Sequence, residues 1–336
     1  MKMKKFINDP FLVTDELVEG FILANAPKFR QIEGMNVVVR NDVPKEGKVA
    51  IIIGGGSGHE PLFLEFIGQG MGDCAVHGNI FASPSADMVY EGIKASESGA
   101  GAILIYGNYQ GDIINFDMAQ EMARMEDIRV ETVLVWDDVA SAGPDDKESR
   151  RGTAADLFVI KIAGAASELM WDFDRVLHAT VKARDNCRSI GIALTSCTLP
   201  AVGTPIFELE DDMMMVGMGV HGEPGIEKRK LCTADEAAQL MLDKIFADDL
   251  AFKAGDKVAL CVNSYGSSTR MECLIVARRV HQILKDMGIT VHATEYGDLC
   301  TSQEMGGLSV TLMKLDDELE MLYDQDAVSP GFYHFK

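Results

Sequence analysis

A glycine-rich segment containing a histidine follows an apolar run near residue 50. The segment reads GGGSGHEP (residues 54–61), and residues 49–53 have the composition of a buried strand. A loop at the carboxyl end of a parallel strand is where open α/β sheets bind ligands. Its glycines allow close approach to a ligand and can supply N–H donors at a helix start. A tight turn with a surface histidine is the simpler alternative for His59 alone.

A second segment repeats this pattern far along the chain. It reads GMGVHGEPG (residues 217–225), so that His221 is again flanked by glycines and followed by Glu and Pro. Taken alone, His221 is as well explained by a structural role as by a functional one. Two such histidines, one in each half of the chain, predict a common cleft between two domains.

A carboxylate occupies a third position of this kind. The segment GNYQGD (residues 107–112) follows the apolar run 102–106 and ends in Asp112, near a helix predicted to begin around Phe116. There Asp112 is either the N-cap of that helix or a general base. The chain has no P-loop, because no GK[ST] follows the glycines. It has no dinucleotide fingerprint either, because His59 replaces the third glycine of that motif.

These residue types support one coherent reaction among several. A neutral imidazole can add to a ketone carbon and hold the substrate as a covalent hemiaminal. A carboxylate can then take a proton from a substrate hydroxyl that attacks a phosphoryl group, while a second histidine donates to substrate oxygens. From the residues alone, acyl-, carbonyl- and phosphoryl-transfer schemes all remain open.

The elements expected to position these residues form two α/β domains, at 1–187 and 188–336. The first has a mostly parallel sheet flanked by helices, and the second is a smaller domain with a mixed sheet. Strands are predicted at 37–39, 49–53, 102–106, 132–136, 190–194, 207–209, 213–220 and 258–262. Helices are predicted at 84–98, 116–126, 157–168, 174–186, 234–247 and 271–287, with Pro84 at the first helical position of its helix.

Composition limits the classes of partner. The chain has 336 residues and a formal net charge of −21, from 31 basic and 52 acidic residues. So acidic a surface disfavours nucleic acid and anionic membranes, whereas small neutral substrates fit. Seven cysteines without a CxxC pair predict reduced thiols in the cytoplasm and no zinc site. We expect neither a secretory signal nor a membrane span.

Several long segments then make a family recognisable. KKFINDP, IIIGGGSGHEPLF, GNIFASPSADMV, GDIINFDMA, RRGTAADLFVIKIAGAASE, GMGVHGEPGI and MGGLSVTLMKLDDEL resemble the dihydroxyacetone-binding (DhaK) subunit of dihydroxyacetone kinases. The resemblance covers essentially the whole chain. It implies a two-domain homodimer that binds dihydroxyacetone or a similar short ketose.

The resemblance also implies roles for particular residues. His221 would form the hemiaminal, His59 and Asp112 would be the acid/base pair, and substrate hydrogen bonds would come from Gly56, Ser57 and Gly58. No cofactor or metal is expected on this chain. ADP or ATP with magnesium would lie on a separate DhaL-type subunit, and a phosphotransferase-system protein would supply the phosphoryl group.

Two departures from the family pattern bear on the substrate. Gly107 stands where the family has a substrate-binding lysine, and Ser264–Thr269 (SYGSST) replaces a glycine-rich stretch. Gly107 leaves room for a four-carbon ketose such as erythrulose. A non-catalytic ketose sensor that regulates a transcription factor is the alternative from another class, which retention of His59 and Asp112 disfavours.

Overall fold

The computed structural model describes residues 4–335 and divides into two compact units. The first unit comprises Lys4–Val135, Asp156–Ala183 and the residues from Leu319 onward, and the second comprises Trp136–Ala155 and Arg184–Glu318. A single boundary after residue 187 was expected. The main change from the first unit to the second comes at Arg184, and each unit also takes shorter segments from elsewhere in the chain.

The first unit is built on a six-stranded sheet of order β1-β2-β4-β3-β5-β6. Strands β3 to β6 are mutually parallel, while β1 and β2 are antiparallel at one edge, which confirms the mostly parallel sheet. The elements are α1 Val13–Asn25, β1 Phe29–Gln31, β2 Val37–Arg40, β3 Ala50–Ser57, β4 Cys74–Ile80, α2 Ala86–Ser96, β5 Ala102–Gly107, α3 Gln110–Arg124, β6 Val130–Val135, α4 Asp156–Glu168 and α5 Phe173–Asp185.

Alternating side chains on these strands explain the layers. Val37, Ile52, Val76 and Leu104 face one side of the sheet, where they form a buried cluster with Phe116 of α3 and with α2. Helix α4 packs against β3 and β5. It is buried along almost its whole length, as expected for a helix that is apolar on all sides.

The second unit carries a mixed sheet of order β11-β10-β12-β7-β8-β9, in which only β10 and β11 are parallel. Helices α6 and α7 pack together and contribute to the apolar core over the sheet. Both begin at a threonine capping box. The elements are β7 Cys187–Thr195, β8 Met213–Val216, β9 Glu227–Lys230, α6 Ala234–Phe246, β10 Lys257–Ser264, α7 Arg270–Asp286, β11 Thr290–Asp298 and β12 Gly306–Leu315. Helix α8 (Asp317–Tyr323) begins here and ends in the first unit, which also contains β13 Ala327–Val328 and β14 Tyr333–His334.

Some predicted elements are wrong. Residues 207–209 form no strand, because the segment folds back on itself and the Phe207 N–H donates to Ser196 Oγ at 3.1 Å. The strand predicted at 213–220 ends at Val216, where Gly217 turns the chain with a φ of +74°. Pro84 is not the first helical residue, since α2 begins at Ala86.

Within residues 4–335, every helix is too short or too polar to cross a bilayer.

Candidate active site

The glycine run at 54–56 lies inside strand β3 and pairs with β4, rather than forming a loop after the strand. Close packing on both faces explains the glycines. A Cβ on Gly56 would lie 2.7 Å from the backbone nitrogen of Ala82, and one on Gly55 would lie 2.8 Å from the ring of Phe63. The run leads into a turn and a short 3-10 segment, so the expected helix start is absent at this point of the described chain.

The two residues that follow are tightly held. Ser57 is buried, and its hydroxyl donates to the carbonyl oxygen of Gly78 at 2.8 Å. Gly58 has a φ of +100°, and its N–H is 3.0 and 3.1 Å from the two carboxylate oxygens of Glu60. Burial raises the pKa of Glu60. Together these contacts fix the backbone that presents His59.

His59 lies under an aromatic ring. Its side chain is buried, and the ring of Phe81 stacks on it with centroids 4.8 Å apart and planes inclined by 15°. Phe81 has a φ of +58°, which is rare for a bulky residue and is found where the surroundings enforce it. Its N–H donates to the carbonyl oxygen of Ser57 at 2.9 Å. Phe81 was missed from sequence, although its position just after strand β4 was a usable signal.

Asp112 is the third residue of α3, whose N-cap is Tyr109. The N-cap interpretation of Asp112 is therefore wrong, because the helix begins six residues earlier than predicted. Its Oδ1 atom is shielded from solvent, and a carboxylate in the first turn is stabilised by the helix dipole. The next turn of α3 reaches the segment that carries Phe81, since Asn115 Nδ2 donates to Ser83 Oγ at 3.2 Å.

Three adjacent parallel strands thus lead to these side chains at one edge of the sheet. Phe81, His59 and Asp112 follow the carboxyl ends of β4, β3 and β5, which are neighbours in the sheet. This is the edge at which open α/β sheets bind ligands. Gly107 is the buried last residue of β5 and pairs with Val135, so the position of the family's lysine lies at the same edge.

His221 is presented differently, on the loop between antiparallel strands β8 and β9 of the second unit. Gly217 and Gly222 adopt φ values of +74° and +83°, which only glycine adopts readily. The His221 backbone N–H donates to Glu223 Oε2 at 3.0 Å, and its ring Nδ1 is 3.0 Å from Glu223 Oε1.

Glu223 determines which ring nitrogen of His221 carries the proton. Burial opposes ionisation of this carboxyl, but hydrogen bonds from His221, electrostatic attraction to its ring and backbone hydrogen bonds outweigh burial and lower the pKa of Glu223 to about 2. An ionised carboxylate only accepts hydrogen bonds, so Nδ1 is the protonated nitrogen. In the neutral ring, Nε2 then carries the lone pair needed for attack on a carbonyl carbon. Glu223 was missed from sequence, although it stands two residues after His221.

The chain is similar to known proteins over nearly all its length. The model of the Dak1 domain matches residues 19–331. "PTS-dependent dihydroxyacetone kinase 2, dihydroxyacetone-binding subunit DhaK" from Listeria innocua is 42% identical, over 98% of this chain and 99% of its own.

Two further similar proteins have names that describe different activities. "L-erythrulose kinase" from Pectobacterium atrosepticum is 41% identical, over 98% of this chain and 56% of its own length. The solved structure "Dihydroxyacetone kinase operon co-activator Dha-DhaQ" has a TM-score of 0.89 at 28% identity and covers 96% of this chain and 98% of its own. The extent and identity of these matches show that the chain belongs to the dihydroxyacetone kinase family defined by the Dak1 domain.

Proposed function

We propose that this protein is the ketose-binding subunit of a dihydroxyacetone-type kinase and holds its substrate covalently on His221. The observation that carries the proposal is the hydrogen bond between His221 Nδ1 and the ionised Glu223, because it leaves the lone pair on Nε2. Family membership and the near-complete match to a dihydroxyacetone-binding subunit support the substrate class.

The capture step is an addition to the ketone. Nε2 forms a bond to the carbonyl carbon as the C=O π bond opens, and the carbonyl oxygen takes up a proton from water. Positive charge develops on the imidazole ring during this step. The Glu223 carboxylate beside Nδ1 stabilises that charge and can take the Nδ1 proton and return it to solvent, which leaves a neutral hemiaminal.

Phosphoryl transfer requires a base for the substrate hydroxyl. Asp112 is suited to this role because the start of α3 favours its ionised form. His59, stacked on Phe81, would donate to or exchange protons with the same hydroxyl. Gly56, Ser57 and Gly58 would contribute hydrogen bonds from the segment before His59.

We assign the phosphoryl donor to another polypeptide. The DhaK subunit from Listeria innocua is named as dependent on the phosphotransferase system, and it matches this chain from end to end. A DhaL-type subunit would carry ADP or ATP with magnesium, recharged by a phosphotransferase-system protein. Homodimerisation and a cytoplasmic location belong to the same proposal. The seven cysteines all lie in the described part of the chain without a disulfide, which suits a reducing compartment.

Gly107 favours a second candidate substrate, a four-carbon ketose such as erythrulose. The family lysine would project from the end of β5, where Gly107 is buried and carries no side chain. The similarity to an L-erythrulose kinase supports this alternative. The alternative function is regulation of a transcription factor by a ketose-bound, non-catalytic form of the protein. The likeness to an operon co-activator supports this alternative.

Reconstitution tests the proposal. The purified chain is mixed with a separately purified DhaL-type subunit and its phosphoryl donor, and phosphorylation of three- to five-carbon ketoses is measured. We expect product only when both subunits are present, and no turnover of ATP by this chain alone. Ketose binding without phosphorylation under any pairing would favour the sensor, and kinase activity of the isolated chain would contradict the divided enzyme.

A further inference from the structure

The loop that presents His221 is held at two points within the second unit. Ser302 Oγ donates to the carbonyl oxygen of Val220, the residue directly before His221. Arg151 Nη2 donates to the carbonyl oxygen of Gly217, where the loop begins, at 2.9 Å. Arg151 therefore reaches the loop from a segment far away in sequence.

Arg151 is itself fixed before it reaches the loop. Its Nε and Nη2 atoms lie 3.0 and 2.7 Å from Asp138 Oδ2, and its backbone N–H donates to Ser141 Oγ at 3.0 Å. Asp138 is buried, and its other oxygen accepts the N–H of Ala140 at 3.0 Å. A buried pair with this many hydrogen bonds holds the guanidinium in one orientation.

The remaining arm of Arg151 lies near the carboxylate that orients His221. A Cβ built on Gly219 would lie 2.1 Å from Glu223 Oε2 and 2.6 Å from Arg151 Nη1. The guanidinium of Arg151 and the carboxylate of Glu223 thus both lie next to Gly219, in the space that a side chain at residue 219 would fill. A side chain at residue 219 would have to displace one of these two groups, whose proximity sets a fixed positive charge near Glu223.

We propose that Arg151 is a positioning residue for ketose capture: held by Asp138, it places a fixed positive charge near Glu223 and keeps that carboxylate turned toward Nδ1 of His221, so that Nε2 stays the nucleophilic nitrogen. The inference rests on the proposed role of His221. It extends that role by adding Asp138 and Arg151 to the Glu223–His221 pair as one relay of side chains. Neither Arg151 nor Asp138 touches the ketose in this scheme.

The test compares Arg151→Gln and Arg151→Lys with a matched control, Arg278→Gln. Arg278 lies in the same unit, and its ion pair with Asp235 is exposed on the surface. The first readout is the ¹⁵N spectrum of histidine-labelled protein without ketose, in which the His221 signals are identified by their loss in His221→Ala. The second is the rate at which the ketose adduct forms, measured by mass spectrometry.

We expect wild type and Arg278→Gln to show His221 protonated on Nδ1. Arg151→Gln should show a mixture of tautomers and capture ketose about tenfold more slowly, with Arg151→Lys in between because it keeps the charge. If folded Arg151→Gln keeps both the wild-type tautomer and the wild-type capture rate, the inference is overturned. It is also overturned if Arg151→Gln loses thermal stability but its His221 tautomer does not change.

Should Arg151→Gln not fold, Asp138→Asn takes its place, since it preserves shape and removes the charge that holds Arg151. We expect Asp138→Asn to shift the tautomer of His221 in the same direction, but less. A spectrum of Asp138→Asn identical to that of wild type would overturn the inference. The two proposals fail separately. A wild-type protein with the Nδ1-protonated tautomer but no adduct contradicts capture by His221 and leaves the role of Arg151 in orienting the ring intact.

Discussion

The two units hold the side chains proposed to react with the ketose by different means. In the first unit, His59 and Asp112 are placed by backbone packing: glycines in β3, the ring of Phe81 and the first turn of α3. In the second unit, His221 lies on a hairpin loop held by side-chain hydrogen bonds and charges from Glu223, Arg151 and Ser302. The proposed base site (His59 and Asp112) therefore depends on shape, and the proposed capture site (His221) depends on charge.

This difference matches the chemistry proposed for each side. A general base needs an accurate position relative to a hydroxyl, which rigid packing on strand ends supplies. A covalent nucleophile needs a defined tautomer and a counter-charge as the ring becomes positive, which a carboxylate on Nδ1 supplies. The variants described next all lie in the first unit, so their effects can be separated from capture by His221 in the second unit.

The largest effect is expected for Asp112→Asn. It removes the proposed base while keeping the shape of the side chain, so phosphorylation with a partner subunit should fall by about 10²–10⁴-fold. Adduct formation on His221 should persist. Asp117→Asn is the control, because Asp117 is an exposed residue of the same helix. Full turnover in Asp112→Asn would exclude this residue as the base.

Acid should weaken the first unit through His77. This residue of β4 is buried beside Phe63, and within residues 4–335 neither ring nitrogen has a hydrogen-bond partner. Burial lowers the pKa of His77 from 6.5 to about 4. The unfolded chain takes up a proton near pH 6.5 that the folded unit takes up only near pH 4. Stability is therefore complete above pH 6.5 and falls by about 3 kcal/mol as the pH drops toward 4.

Urea unfolding followed by hydrogen exchange in each unit measures this loss. His77→Leu should flatten the pH dependence of the first unit and leave that of the second unit unchanged. An equally steep acid dependence in His77→Leu would show that other groups are responsible.

Gly56→Ala should damage the proposed base site by displacing the backbone that would hydrogen-bond the substrate. Its Cβ would approach the Ala82 backbone nitrogen to 2.7 Å, next to Phe81, so we expect a destabilisation of about 2 kcal/mol and reduced turnover. Gly20→Ala is the matched control, because nothing lies within 4 Å of its Cβ in α1 and alanine favours helix there. Ketose capture by Gly56→Ala should be retained. Loss of ketose capture in Gly56→Ala would mean that the proposed base site and the proposed capture site are not independent.

The smallest effect is expected for Gly107→Lys, which restores the family residue. The phosphorylation rate of dihydroxyacetone should rise relative to that of four-carbon ketoses, because the lysine adds a hydrogen-bond donor and fills space at the end of β5. Gly107→Leu fills similar space without the charge and separates the two causes. An unaltered ratio of rates in both variants would show that residue 107 does not select the ketose.

Much of the first unit was predictable from the sequence because its strands are short apolar runs bounded by glycine and polar residues. The positions of His59, Asp112 and His221 after strand ends followed from the same pattern. Tertiary contacts decided the rest. Strand β3 continues through three glycines because β4 pairs with them, and α3 begins at Gln110 rather than Phe116. Arg151 could not be connected with His221 from sequence, since 70 residues separate them and only the fold brings the guanidinium to Gly217.

The most direct test of the central claim is the location of the bound ketose. Wild-type protein and the variants His221→Ala and Asp112→Asn are each incubated with dihydroxyacetone and examined by native mass spectrometry, with the adduct located by crystallography. We expect one ketose per chain in wild type and in Asp112→Asn, bonded to Nε2 of His221, and none in His221→Ala. A covalent ketose that persists in His221→Ala, or one bonded to Nδ1, would contradict the central claim.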